Sequence, residues 1–282
     1  MQPASRRKPV PESEAGGAAP ATIFGRRRAA LGAAAVVVVA AVLIGWAWRR
    51  FGDEVTWRGG NLLEPASIEL RGAAPWVRAD IKAEALKAAS LDRGLPLTDP
   101  DLANRIARAF DTHPWVRRVL GVRLLHPPAA VVEIVCREPA AMVAVKGGLL
   151  AVDAESVVLP SIDFTSEAAA EYPRLTGVDS SPQGPEGSRW GDPVVEEGAA
   201  IAAVIGPEWK PLGLVECRPV DAGGRRRWEL VGPEGRRIRF GSAPGGEAEG
   251  EPAAAVKLAA LRALIGQPLP EAGADLTQPP AN

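Results

Sequence analysis

The longest hydrophobic run in this chain lies near its start, at residues 29–48. These 20 residues contain no charged side chain, and an α-helix of about 20 residues spans the roughly 30 Å hydrocarbon core of a bilayer. A helix also satisfies all of its backbone hydrogen bonds within one segment. The pattern therefore predicts a transmembrane helix at 29–48, followed by a linker at 49–65.

The charges beside this segment indicate how it crosses the membrane. Arg26, Arg27 and Arg28 adjoin its start, and residues 1–28 hold six basic against two acidic side chains. Basic residues next to a span favour the cytoplasmic side, so we expect a cytoplasmic N-terminus and an extracytoplasmic remainder. The tail at 1–28 has few large apolar residues and is predicted to be disordered. A cleaved signal peptide is one alternative, although its apolar region would be only about 7–15 residues long. A buried soluble helix is another, although the run has no polar stripe.

Between residues 66 and 139 the hydrophobic spacing changes repeatedly from strand-like to helix-like. Two helices and three strands in one small domain pack as helices on a sheet, so this region is expected to form a compact α+β domain. The predicted elements, in order, are a strand at 66–71, a helix at 75–89, a helix from Thr98 that ends by His113, and strands at 115–125 and 130–137.

Two local details follow from the same pattern. Thr98 is the expected N-cap of the second helix, because its hydroxyl can accept a hydrogen bond from the first turn. In the strand at 115–125, a period of two places Val116, Leu120, Val122 and Leu124 on one face.

Residues 140–265 consist mainly of short strand-like segments separated by glycine-rich turns. The sequence Asp-Ala-Gly-Gly at 221–224 favours a hairpin between two strands. Helical spacing occurs at 194–205 and at 253–265, and in the second of these Val256 and Leu261 are expected to face inward. Residues 266–282 are predicted to be mostly disordered, with a possible exception at 274–277. The second region is thus expected to be a β-rich domain.

Composition narrows the chemistry. The formal net charge is −1, which gives no general attraction to nucleic acid. Two cysteines are too few for a disulfide framework, and two histidines leave little material for a metal centre. The chain lacks the nucleophile elbow, the phosphate-binding loop and the zinc-binding helix motif. We therefore predict a protein that is not an enzyme, with no catalytic, cofactor-binding or metal-binding residues.

Several short motifs, in this order and spacing, resemble the FtsQ/DivIB cell-division family. The pattern starts with HPWVRRV at 113–119 and RLLHPP at 123–128, and continues with REPAA at 137–141. Further on, YPRLTG at 172–177 and the segment from Trp228 to Gly241 are similar to that family's later strands and turns. The resemblance spans residues 66–276, together with the basic tail and the single span.

The resemblance implies a bitopic protein of the cell inner membrane that acts at the division septum. It implies a POTRA domain at 66–139, a β domain at 140–265 and a short tail at 266–282. The implied partners are FtsB- and FtsL-like divisome proteins and, through them, the septal peptidoglycan synthases, with no small-molecule substrate. The motif residues with a mainly structural role are Pro114, Trp115, Val116, Glu138 and Pro139.

The end of the chain departs from the family pattern. Members end in a strand that opens with Asp-Leu-Arg and pairs with FtsB, whereas this chain has Asp275, Leu276 and Thr277. Asp275 and Leu276, which match the start of that strand, are the candidate partner-binding residues.

Other interpretations remain open at this point. A POTRA-bearing envelope transport or assembly component would need a cleaved signal and a long barrel, and a tethered extracytoplasmic enzyme is a further alternative. Cys136 and Cys217 are read as separate thiols, with a disulfide as the alternative. Trp115 is read as a packing residue, with a partner anchor as the alternative. The arginines at 225–227, 236, 237 and 239 are read as solvated strand faces, with acidic partner segments, lipid head groups or wall polymer as alternative ligands.

Overall fold

The computed structural model of the protein describes residues 42–43, 45–46, 62–267 and 273–278. The chain divides into two compact units, residues 1–59 and 60–282. The predicted tail at 1–28 and most of the predicted span at 29–48 lie outside the described residues; Val42, Leu43, Gly45 and Trp46 are helical. Among the helices that the structure describes, none is both long and apolar enough to cross a membrane.

The second unit begins with a three-stranded sheet and a separate two-stranded ladder. The strands are β1 Leu62–Leu63, β2 Ile68–Arg71, β3 Leu95–Pro96, β4 Val116–Leu125 and β5 Ala129–Cys136. In the three-stranded sheet β5 is central, parallel to β2 and antiparallel to β4, while β1 pairs with β3.

Helices α1 (Ile81–Ala88) and α2 (Leu102–Asp111) share a hydrophobic core with this sheet. Helix α1 starts later than the predicted residue 75, because the Asp80 carboxylate accepts a hydrogen bond from Ala83 N at 3.0 Å and caps the first turn. The predicted Thr98 cap of α2 is also wrong. Asp101 occupies the N-cap position, and its side chain bonds to Asn104 and Arg108 instead of to the backbone.

The face predicted for β4 is corrected by irregular pairing. The register with β5 shifts between Val116 and Arg118 and again between Val119 and Gly121. A bulge of this kind moves the following side chains to the opposite face. Leu120 is consequently 56% exposed instead of buried, whereas Val119 packs against the core.

A second, seven-stranded sheet follows. Its strands are β6 Pro139–Val145, β7 Gly148–Asp153, β8 Arg174–Leu175, β9 Glu216–Asp221, β10 Arg226–Val231, β11 Arg237–Gly241 and β12 Ala274–Asp275. Their spatial order is β12-β11-β10-β9-β8-β6-β7. The pairs β6–β7, β9–β10 and β10–β11 are antiparallel, whereas β8 runs parallel to β6 and β9, and β12 runs parallel to β11.

The remaining helices are α3 (Ser166–Ala169), α4 (Pro193–Trp209) and α5 (Ala254–Ala263). Helix α4 is longer than the predicted 194–205: it continues through Pro207 to Trp209, which is buried in the same hydrophobic cluster as Trp228. It lies close to the sheet at Gly198, where an added Cβ would come within 2.7 Å of the Trp228 ring. Only a residue without a side chain permits that approach.

In α5 the predicted inward side chain is wrong by one position. Val256 is 44% exposed, while Lys257 is 1% exposed and points into the protein. A periodicity argument treats lysine as an outward residue and cannot anticipate this, because a buried lysine depends on a partner that comes from elsewhere in the chain.

The expected mixture of helices and strands is confirmed: residues 62–267 and 273–278 form a mixed α/β structure with a large sheet and five α-helices. The buried side chains form two hydrophobic clusters. The first cluster takes Met142, Ala151 and Leu159 from beyond residue 139. The three-stranded sheet and the start of the seven-stranded sheet therefore share buried apolar surface within one compact unit.

Candidate partner-binding surfaces

The motif residues around Trp115 form part of the core. Trp115 is fully buried, its indole N–H donates to Asp163 Oδ2 at 2.6 Å, and its ring centroid lies 6.0 Å from that of Phe164. Val116 is buried beside it, and Pro114 is half-buried. These contacts favour the packing interpretation of Trp115, because an indole in this position has no surface left for a partner.

His113 and His126 lie at the junctions predicted for them. His113 is buried; its Nδ1 accepts from Trp115 N at 3.2 Å, and its Nε2 lies 3.2 Å from Glu84 Oε2. His126 lies in the turn between β4 and β5. Among the described residues, His, Cys, Asp and Glu side chains form no group of three that could hold a metal ion.

Glu138 and Pro139 join the two sheets. Pro139 is buried at the start of β6, while the Glu138 side chain is exposed. Within the described chain, the Glu138 carboxylate makes no hydrogen bond or ion pair, and it borders a cleft of about 290 Å³. The preceding residue, Arg137, has the opposite environment: its guanidinium is 14% exposed and donates to Asp153 Oδ2 at 2.7 Å.

Asp275 and Leu276 lie at an edge of the seven-stranded sheet. Leu276 is 7% exposed and joins the second core, and its N–H donates to the Arg239 carbonyl at 2.9 Å. Asp275 accepts from Thr277 N and Oγ1 at 2.9 and 2.6 Å and pairs with Arg239 at 3.5 Å. Burial alone would raise the pKa of Asp275, but these hydrogen bonds and Arg239 lower it on balance. The Leu276 side chain is thus part of the hydrophobic core and is not available to contact a partner.

Strand β12 has no neighbour on its outer side within the described chain. Since Leu276 N donates inward to β11, strand alternation directs the N–H and C=O of Asp275 to the open side. An open edge of this kind can accept an added strand from another chain.

Beside this edge, a cavity of about 740 Å³ is bordered by the sheet and by the loop that carries Glu251. Arg239 lines the cavity, with its side chain 70% exposed. Most arginines of the hairpin, which the sequence predicted to be solvated strand faces, have acidic neighbours that neutralise much of their charge. The ion pairs are Arg218–Glu229, Arg226–Glu197, Arg227–Glu251, Arg236–Glu234, Arg237–Glu229 and Arg239–Asp275.

A second open edge belongs to β4, which pairs only with β5 among the described strands. Three leucines of this strand are exposed, Leu120 by 56%, Leu124 by 37% and Leu125 by 46%. Exposed aliphatic side chains on a long unpaired strand are a common site of strand addition. Sequence reasoning missed this surface, because the bulges that expose Leu120 have no sequence signal.

Both cysteines are free in the structure. Cys217 is fully buried, and burial raises the pKa of its thiol. Cys136 is half-buried rather than fully buried, and desolvation raises the pKa of this thiol as well. Neither thiol has the lowered pKa of a reactive cysteine.

Sequence reasoning missed the buried ion pair between Lys257 and Glu251. Lys257 Nζ donates to Glu251 Oε1 at 2.6 Å, and their side chains are 0% and 4% exposed. The same carboxylate accepts from Ser242 N, Ser242 Oγ and Ala248 N at 2.6, 2.8 and 3.0 Å. This network holds the loop that borders the 740 Å³ cavity.

In comparisons with known proteins, no family model matches the chain, and no curated protein matches it significantly.

Proposed function

We propose that this chain is a non-catalytic, membrane-anchored scaffold of the bacterial divisome, similar to FtsQ/DivIB. In this proposal residues 1–28 lie in the cytoplasm, residues 29–48 cross the inner membrane, and a POTRA domain and a β domain lie outside the cytoplasm. The partners are FtsB- and FtsL-like membrane proteins, and through them the septal peptidoglycan synthases.

One observation carries the proposal: the order of elements coincides with the motifs that resemble this family. The order β2-α1-α2-β4-β5 ends at the Glu138–Pro139 motif, and a sheet with β12 at its edge follows. Each short motif alone could occur by chance, but their order and spacing along one chain are harder to obtain by chance.

The β12 edge supplies the physical means of docking. An extended partner segment can form main-chain hydrogen bonds with the open side of Asp275. Arg239 lies beside this edge and is 70% exposed although it is paired with Asp275 at 3.5 Å. Its guanidinium can therefore also contact an acidic side chain of the segment, and charges at the rim of an interface steer encounter and register. A scaffold needs no reaction chemistry for this role.

Membrane tethering accounts for the remaining part of the function. Weak contacts become effective when both partners are confined to one membrane surface, because confinement raises their effective concentration. The proposed anchor at 29–48 would provide that confinement.

Localisation and depletion test this proposal. A fluorescent fusion to the full chain should concentrate at the division site, and depletion should give filamentous cells. A fusion without residues 1–28 but with the span retained separates the tail from the folded unit. Uniform envelope fluorescence together with normal division after depletion would contradict the proposal.

A further inference from the structure

A second surface of the molecule, remote in sequence from β12, combines an apolar cleft with two exposed carboxylates, Glu138 and Glu171. The Tyr172 cleft has a volume of about 290 Å³ and lies between the start of β6, the loop before β8 and the end of α4. It is bordered by Glu138, Pro139, Glu171, Tyr172, Pro173 and Pro207.

The aromatic side chain that lines the cleft, Tyr172, belongs to a row of three aromatic rings. The Tyr172 ring packs edge-on against Phe164 with centroids 5.9 Å apart, and Phe164 in turn packs against Trp115 at 6.0 Å. Trp115 is fully buried, whereas Phe164 and Tyr172 are partly buried, so this row of ring contacts anchors the Tyr172 ring to the core. The prolines that line the same cleft have little backbone freedom.

The charge in the cleft is negative. Glu138 has no hydrogen-bond or ion-pair partner within the described chain, and Glu171 is paired only with Lys210, at side-chain exposures of 56% and 52%. Burial raises the pKa of the Tyr172 hydroxyl, and the negative charges of Glu138 and Glu171 raise it further. Both carboxylates border the same cleft as the Tyr172 ring.

We propose that the Tyr172 cleft binds an arginine or lysine side chain of a partner protein. The aliphatic stem would lie against the three prolines, and the cationic head would lie over the Tyr172 ring, between the carboxylates of Glu138 and Glu171. Glu171 would exchange its exposed internal partner, Lys210, for the incoming cation.

The size and the charge of the cleft favour a single cationic side chain. At about 290 Å³ the cleft lies at the lower end of the roughly 300–1,000 Å³ usual for cofactor and drug-sized ligand pockets. An anion would be repelled by two carboxylates. A metal ion needs more oxygen or nitrogen ligands than the described residues bring together here. The inference does not depend on the divisome proposal.

Tyr172 is the only tyrosine in the chain, so one label reports on the cleft alone. The full chain, produced with 3-fluorotyrosine and purified in mild detergent, would be titrated with acetyl-Ala-Arg-Ala-amide and observed by fluorine NMR. The neutral citrulline peptide of the same shape is the ligand control. We expect saturable shifts with the arginine peptide in the low-millimolar range, and none with the citrulline peptide.

Three variants make the test specific. Glu138→Gln should weaken binding about tenfold, as expected for one charge-assisted hydrogen bond. Lys210→Met should tighten binding, because Glu171 then loses its internal competitor. Glu186→Gln removes an exposed carboxylate outside the cleft and should leave binding unchanged. Equal shifts with both peptides, the absence of saturation, or unchanged affinity in both Glu138→Gln and Lys210→Met would overturn the proposal.

Discussion

At the scale of single residues, the feature with the largest desolvation cost is the group of charges buried around Glu251. Lys257 Nζ donates to Glu251 at 2.6 Å and to the Ser242 carbonyl at 3.2 Å, and it lies 4.7 Å from the Phe240 ring centroid. Arg227 lies 3.6 Å from the other carboxylate oxygen. A buried charge is tolerated only when its hydrogen bonds are satisfied. Here the partners come from β10, β11, α5 and the loop between β11 and α5.

The pKa of Glu251 predicts how this network responds to acid. Burial alone would raise the pKa, but hydrogen bonds from Lys257, Ala248 and Ser242 outweigh it and lower the pKa from 4.5 to about 2. The folded state therefore binds this proton more weakly than the unfolded state. The stabilisation is complete above pH 4.5 and is lost as the pH falls toward about 2.

We therefore expect Glu251→Gln to lower the free energy of unfolding by about 3 kcal/mol near neutral pH. The difference from the unmodified chain should shrink as the pH falls below 4.5. Urea unfolding at a series of pH values measures this difference. Glu249→Gln, an exposed neighbour in the same loop, is the matched control; a difference for Glu251→Gln that stays constant with pH would contradict the assignment.

At the scale of elements, the two open sheet edges differ in how they are protected. Strand β4 carries bulges, which twist an edge away from regular pairing. Strand β12 is only two residues long and is held by its parallel pairing with β11 and by the buried Leu276. The β12 edge is therefore short but regular. Because so short a strand offers few main-chain hydrogen bonds, it favours a docking segment that makes additional contacts nearby.

Strand addition at β12 predicts a specific backbone effect. Asp275→Pro removes the N–H that points to the open side. Asp275→Ala keeps this N–H and removes only the carboxylate, which bonds to Thr277 and pairs with Arg239. We expect the proline variant to lose a bound partner in co-purification from mild detergent, and the alanine variant to retain most of it. Circular dichroism checks that both variants are folded, and equal retention by both would argue against main-chain pairing.

At the scale of the whole molecule, Arg137 connects the two sheets of the second unit. It lies between β5 and β6; its N–H donates to the Trp115 carbonyl at 2.8 Å, and its own carbonyl accepts from the Trp76 indole at 3.0 Å. The guanidinium bonds to Asp153 at the end of β7, with Nε left without a partner. Residues of both sheets thus converge on one buried cation.

Removing that cation should destabilise the unit as a whole. Arg137→Met leaves the buried Asp153 carboxylate without its ion pair, and we expect a loss of about 3 kcal/mol in the free energy of unfolding. Arg123→Met breaks an exposed pair with Glu133, at exposures of 61% and 42%, and should cost less than about 1 kcal/mol. Urea unfolding followed by tryptophan fluorescence measures both variants. Equal losses would show that Arg137 has no special coupling role.

Local pattern was sufficient for much of the fold. Alternation predicted the strands around Val132 and Ile238, and helical spacing predicted the helices around Ile106 and Leu261, because burying one face imposes a regular period. It failed where that period is interrupted, as at Leu120 beside a bulge, and where one buried charge is matched by another, as at Lys257 and Glu251.

The sequence by itself determined the longer helices and strands and their order, the apolar run at 29–48 and the absence of recognisable catalytic motifs, since these depend on residues close together in the chain. The short elements β1, β3, α3 and β8 had no such signal. Only the tertiary structure decided that Leu276 is buried, that the hairpin arginines are paired and that Glu138 and Tyr172 border one cleft. Those features join residues far apart in sequence, and no local period encodes which distant side chains will meet.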